Sequence, residues 1–180
     1  MFSMRPCRHL IISAAAAAFL VAPAAAEMRL TSPDVAANGE LAEAQILAGM
    51  GCDGGNAAPT LAWTGSPEGT KSFVVTMYDP DAPTGSGFWH WSLFDVPGDV
   101  TGLDPAGLPQ GAIAARNDFS LNAYSGACPP VGQTHRYVIS VYAMPQATLP
   151  IDASASGALV GFFAQTGALD HASLTARYGR

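Results

Sequence analysis

The sequence predicts a mainly β domain followed by helices, and three stretches carry that prediction. Phe73 to Tyr78 is a β-branched and aromatic run, and Phe88 to Val96 is a second run beyond a short corner, so the two read as paired strands. Arg136 to Met144 alternates, with Tyr137, Ile139, Val141 and Ala143 on one face and Val138 and Tyr142 on the other. Both of its faces are largely apolar, as in an interior strand. In the tail, Asp152 and Asp170 stand where N-caps would open helices, one from about Ser154 to Gln165 and ending at Gly167, the other running to about Tyr178. Strands first and helices last describe an antiparallel β domain with helices to one side.

Taken in order, the chain opens with a segment that reads as an address. Arg5 and Arg8 precede an apolar run from Leu10 to Val21, and Ala24-Ala25-Ala26 offers a small-residue cleavage site before Glu27. The run is shorter than the roughly 20 residues a bilayer core requires. Residues 1–26 are therefore expected to be a secretory signal peptide, and residues 27–180 one domain located in the periplasm or outside the cell. The formal charge of −6 becomes −8 without Arg5 and Arg8. Such an acidic surface disfavours nucleic acid and anionic membrane as general partners, while leaving room for one anion in a local pocket. No later segment is apolar enough for stable membrane insertion.

Glu27 to Leu30 is a short first strand, and Leu41 to Leu47 fits either helix or strand. Gly49 to Pro59 is a glycine-rich loop holding Cys52, and Leu61-Ala62-Trp63 is a strand fragment before the central hairpin. Pro97 to Gly111 is mostly connection, Ala112 to Arg116 a short strand, and Asn117 to Pro130 a second long loop holding Cys128. Cys52 and Cys128 are the two cysteines beyond the leader, and an even pair in an oxidising compartment suggests one disulfide. Buried thiols and a metal site are the alternatives, the latter weakened by the lack of C-x-x-C spacing.

Chemistry concentrates at two corners. Asp79-Pro80-Asp81-Ala82-Pro83 ends the first strand of the hairpin, where two prolines fix φ and remove ladder donors. His90 lies near the start of the next strand. A second glycine and proline corner, Ser125 to Pro130, is followed by Gly132-Gln133-Thr134-His135-Arg136-Tyr137, again bringing a histidine to a strand mouth. His90, His135 and Tyr137 can donate to an anion, and Asp79 would orient a neighbouring imidazole and raise its pKa. The structural alternative is an Asp–His network that only pins two loops together.

The DPDAP corner, the His90-Trp91 pair and the run from Cys128-Pro129-Pro130 to His135-Arg136-Tyr137 together resemble the phosphatidylethanolamine-binding proteins, most of all the bacterial branch called Raf-kinase-inhibitor-like. The likeness extends to Gly51-Cys52-Asp53-Gly54, Leu61-Ala62-Trp63, Gly69 to Phe73 and Asn117-Asp118-Phe119. It implies a single domain of two antiparallel sheets in a Greek-key arrangement, with C-terminal helices near a small anion pocket. The pocket residues it implies are Asp79, Asp81, Pro83, His90, Pro130, His135 and Tyr137, with a cis peptide at Ala82-Pro83. The short link Thr84 to Phe88 departs from the longer basic connection of eukaryotic members, which speaks against a kinase-inhibitor role. Tyr178 is not an equivalent of their C-terminal pocket tyrosine.

The function expected is a binding protein for a small anion, phosphate or a phospholipid head group, with no cofactor and no metal. An inhibitor or scaffold for another envelope protein remains a second reading. A metal-dependent or hydrolytic enzyme is a third, although neither H-E-x-x-H nor G-x-S-x-G occurs in the chain.

Overall fold

A computed structural model of the protein describes residues 27–180. The expected leader, residues 1–26, lies outside the described residues. In chain order the strands are β1 (Arg29–Thr31), β2 (Ala48–Gly49), β3 (Cys52–Asp53), β4 (Leu61–Thr64), β5 (Ser72–Asp79), β6 (Phe88–Pro97), β7 (Gly102–Leu103), β8 (Ile113–Ala114) and β9 (Thr134–Met144). Helix α1 (Gly157–Gly167) and strand β10 (Asp170–Gly179) complete the chain. All the sheet pairings are antiparallel. One sheet has the order β1-β4-β7, a second has β10-β9-β5-β6-β8, and β2 and β3 form a small ribbon.

The five-stranded sheet is covered on both faces, which explains why its central strands are apolar on both sides. Phe73, Val75 and Met77 of β5 face the three-stranded sheet, packing with Leu61, Trp63, Ile139 and Val141 in the main core. Val74 of β5 points the other way, joining Phe94 and Met144 beneath Val160 and Ala164 of α1. Gly161 lets the helix approach closely, because a Cβ there would meet the Trp89 ring at 2.6 Å. No helix among the described residues is long and apolar enough to cross a membrane.

The tail corrects the expectation of two C-terminal helices. The first helix is present, but its N-cap is Ser156, whose hydroxyl accepts the Leu159 amide at 3.2 Å. Asp152 instead closes a turn on the Ser154 amide at 2.8 Å. The expected second helix is β10, which pairs with β9 along its whole length, from Asp170 opposite Ala143 to Gly179 opposite Thr134. Ala172, Leu174, Ala176 and Tyr178 pack on the main core, a period of two that the helix-favouring Ala and Leu content disguises. An edge strand that completes ten pairs outweighs the local propensity of an exposed helix. The ambiguous Leu41 to Leu47 stretch holds a short 3-10 turn at Glu43–Gln45. No cis peptide occurs among the described residues, so Ala82-Pro83 is trans, in a turn where the Thr84 amide meets the Ala82 carbonyl at 2.8 Å.

Candidate functional site

The site lies at the end of the main core where β5 stops. Asp79 is the last residue of β5, on the face of Val75 and Met77, while His135 and Tyr137 of β9 share the face of Ile139. The Asp79 and His135 side chains are each 4% exposed, and Asp79 Oδ2 accepts a 2.7 Å hydrogen bond from His135 Nδ1. Asp79 Oδ1 accepts the Asp81 amide at 2.8 Å, so the Pro80 corner is tied to the same carboxylate.

His90 arrives by a different route. Met77 pairs with Trp91 and Tyr78 with Trp89, so His90 is the extra residue of a β-bulge. A bulge turns one side chain out of the regular alternation, and here it joins the imidazole to the pocket. Its Nδ1 lies 2.9 Å from the Ser125 carbonyl. A carbonyl only accepts, so Nδ1 carries the proton and Nε2 of the neutral ring is left as an acceptor. Burial lowers the His90 pKa from the ordinary imidazole range, outweighing the Ser125 carbonyl and the charge of Asp79, both of which act upward. The expected direction is thus reversed for this histidine, because desolvation disfavours the charged ring more than Asp79 favours it.

Six of the seven residues assigned to the pocket converge on one cavity of about 140 Å³: Asp79, Pro83, His90, Pro130, His135 and Tyr137. Asp81 does not line it. The Asp81 carboxylate receives Arg136 Nη2 at 2.6 Å, Arg136 Nε at 2.9 Å and the Arg136 amide at 2.8 Å. Alternation on β9 explains the split: inward His135 holds Asp79, and outward Arg136 holds Asp81. That guanidinium keeps the Asp81 carboxyl at about 2.

Tyr137 is fully buried, and its hydroxyl has no hydrogen-bond partner among the described residues. Burial, followed by the Asp79 charge, pushes the phenol upward, so it stays a donor. An unmet buried hydroxyl costs about 1–3 kcal/mol, which a ligand acceptor in the adjoining cavity would relieve. Phe88 and Phe119 wall the cavity, with Phe88 5.0 Å from the His90 ring centroid. Among the described residues, no lysine or arginine lines it. A larger cleft of about 400 Å³ beside Trp91 and Tyr124 has, among the described residues, Asp104 as its one ionisable carboxylate and no histidine. No three His, Cys, Asp or Glu converge as a metal cage among the described residues.

Residues outside the sequence expectation hold these walls in place. Asn117 donates to the Ala123 carbonyl and the Ser125 hydroxyl, both at 2.9 Å, shaping the loop that presents the Ser125 carbonyl to His90. Arg180 Nε donates to the Pro129 carbonyl at 2.7 Å and Nη1 to the Gly51 carbonyl at 2.6 Å, joining the β2–β3 ribbon to the proline corner. The Cys52–Cys128 disulfide, expected from the sequence, makes the same connection covalently. Gln133 Oε1 lies 3.0 Å from His135 Nε2, so both nitrogens of that ring are engaged. An exposed arginine at a chain end and a glutamine in a turn carry no local signal of such roles.

The domain is a β-sandwich with a small Asp–His–Tyr cup at one end. Residues 31–179 match the family model of the phosphatidylethanolamine-binding proteins, and the chain belongs to that family. It is 42% identical over 179 residues to YbcL of Escherichia coli, covering 95% of this chain and 98% of that one. It is 46% identical over 158 residues to YbhB of the same organism, covering 84% of this chain and 99% of the other. The crystal structure of Escherichia coli YbcL, described as a new member of the mammalian family, superposes with a TM-score of 0.82 at 44% identity, covering 86% of this chain and 99% of that one. A Chlamydia trachomatis homologue shares the fold, with a TM-score of 0.74 at 23% identity over 86% of this chain and 98% of its own.

Proposed function

We propose that this protein is a periplasmic or secreted binding protein whose cup takes a small oxyanion, either free phosphate or the phosphate of a lipid head group. The observation that carries the reading is the Tyr137 hydroxyl, buried without a partner beside a cavity of about 140 Å³. That volume is well under the roughly 300–1,000 Å³ of pockets for drug-sized ligands, which suits one compact head group. The exposed Gln133 side chain yields its place on His135 Nε2 to a ligand oxygen. The disulfide supports an oxidising compartment.

Binding is favoured over catalysis by the hydroxyls and thiols at hand. Cys128 is held in the disulfide, and the Thr84 hydroxyl donates to the Gly87 carbonyl, so neither stands free as a nucleophile. A partner protein would be a further layer on this reading, with the filled or empty cup as the state it senses.

The histidine signals in a nuclear magnetic resonance spectrum test the proposal. Inorganic phosphate and phosphoethanolamine should shift the His90 and His135 imidazoles in a saturable way. His171, stacked on Tyr142 away from the cup, should stay still. Equal movement of all three, or of none, would reject the cup as the binding site.

A further inference from the structure

The cleft of about 400 Å³ beside Trp91 and Tyr124 shares no lining residue with the cup. Leu103 of β7, an edge of the three-stranded sheet, and Ala114 of β8, an edge of the five-stranded one, both line it. Its volume falls within the roughly 300–1,000 Å³ of small-molecule pockets. The Trp91 and Tyr124 rings stand edge to face, with centroids 5.8 Å apart. The Tyr124 hydroxyl donates to the Gln45 carbonyl at 2.8 Å, so the ring and not the phenol is what this residue offers the cleft. The polar groups are few and already aimed. Asn56 Oδ1 accepts the Gly126 amide at 2.8 Å, so the donating nitrogen is the end of that side chain left to a ligand. Asn122 is the reverse, because its Nδ2 spends both hydrogens on the Ala114 and Ala153 carbonyls, at 2.9 and 2.5 Å, and the accepting oxygen is left. Backbone partners fix both orientations, since a peptide N–H only donates and a carbonyl only accepts. Asp104 adds a second acceptor, from a turn in which its Oδ1 holds the Ala106 amide at 2.7 Å. Among the described residues no lysine, arginine or histidine lines the cleft.

We propose that this cleft is a second ligand site, one that takes a neutral pyranose sugar. An anion would find a carboxylate and no cation there, in a domain of net negative charge. A wholly apolar ligand would take water from Asn56, Asn122 and Asp104 and return no hydrogen bond. A cationic amine would suit Asp104 but set a donor against the Asn56 donor. A pyranose avoids all three penalties. Its face of C–H bonds lies against the aromatic rings, and its hydroxyls, each both donor and acceptor, answer the Asn56 nitrogen and the Asn122 and Asp104 oxygens. The small side chains of Ala57, Ala58 and Ala123 leave the width that a ring requires. The site is independent of the oxyanion reading of the cup.

Nuclear magnetic resonance titration of the protein with D-glucose, D-galactose and N-acetyl-D-glucosamine tests the proposal. At least one of the sugars should shift the Trp91 indole and the Asn122 side-chain amide saturably at millimolar concentration, with the His90 and His135 imidazoles still. Asn56→Asp keeps the oxygen on the Gly126 amide and replaces the donor by an acceptor, so affinity should fall about tenfold, the worth of one hydrogen bond. Ala123→Leu changes an exposed wall position, fills part of the cleft without touching the core, and should weaken binding as well. No saturable shift with any of the three sugars would overturn the site, and so would undiminished affinity in both folded variants. Propylamine binding more tightly than every sugar would overturn the neutral ligand class. Inorganic phosphate should leave the Trp91 indole still, so that failure of the cup and failure of the cleft are read separately; a phosphate shift of that indole would overturn the separate site.

Discussion

Asp79 and His135, 56 residues apart in sequence, meet through a 2.7 Å hydrogen bond where two neighbouring strands of the central sheet end. Each side chain is 4% exposed, so neither has water to fall back on. The pair fixes the floor of the cup and the direction of the proline corner above it.

Replacing Asp79 by alanine strands the His135 Nδ1–H and the Asp81 amide. Breaking a buried pair from one side costs about 3–5 kcal/mol, and a urea midpoint should register that loss. Asp79→Asn, which keeps an oxygen acceptor, should lose less. Equal stability of the wild type and Asp79→Ala would contradict the assigned role.

Asp81 makes the opposite case. Its carboxyl is held down at about 2 by Arg136, so the pair stabilises the fold above the unfolded carboxyl pKa of about 3.9 and loses that contribution as pH falls toward 2. The Arg136 side chain is 48% exposed, so solvent screening keeps the contribution small. Asp81→Asn should soften the acid limb of stability between roughly pH 4 and 2 and leave phosphate affinity within about twofold. A large affinity loss would return Asp81 to the binding site.

His90 supplies a second pH dependence. Its folded pKa lies below the unfolded value of about 6.5, so below that pH the unfolded chain takes a proton that the native ring refuses. Stability should therefore decline as pH drops from about 6.5 and level off below the folded pKa. His90→Asn should flatten this limb in a series of urea midpoints. A slope unchanged by the substitution would assign the effect elsewhere.

The disulfide spans 76 residues and joins the β2–β3 ribbon to the cup wall. Chain entropy for a loop of this size gives about 4–5 kcal/mol, an upper figure. Replacing both cysteines by serine should lower the urea midpoint by a large part of that amount and weaken phosphate binding, since Cys128 lines the cup. Unchanged affinity in the folded variant would make the bridge purely structural.

Much of this site was legible in the sequence because strands alternate. Tyr137 and Ile139 share a face by simple counting, and the same rule carries His135 inward and Arg136 outward. Asp81 turns to Arg136 and not to the cup because its partner is set by the register of β5 against β9, which no local pattern states. The aim of His90 depends on a bulge, and a bulge depends on how two strands fit together. Strand β10 was misread for a related reason. Its Ala-x-Leu-x-Ala-x-Tyr period was present, but only the open edge of β9 turns that period into a strand. Arg180 bridges two loops that are remote in sequence, and nothing near it announces the contact.

The account turns on the Tyr137 hydroxyl, and Tyr137→Phe tests it most directly, by calorimetry with inorganic phosphate at pH 6 alongside a urea midpoint of the unliganded protein. Removing an unpartnered buried hydroxyl should leave the free fold as stable as before or more so, while removing a donor to an anion should weaken binding by about 1.5–3 kcal/mol, roughly 10- to 150-fold. Phosphate binding of undiminished strength in a folded Tyr137→Phe protein would contradict the account.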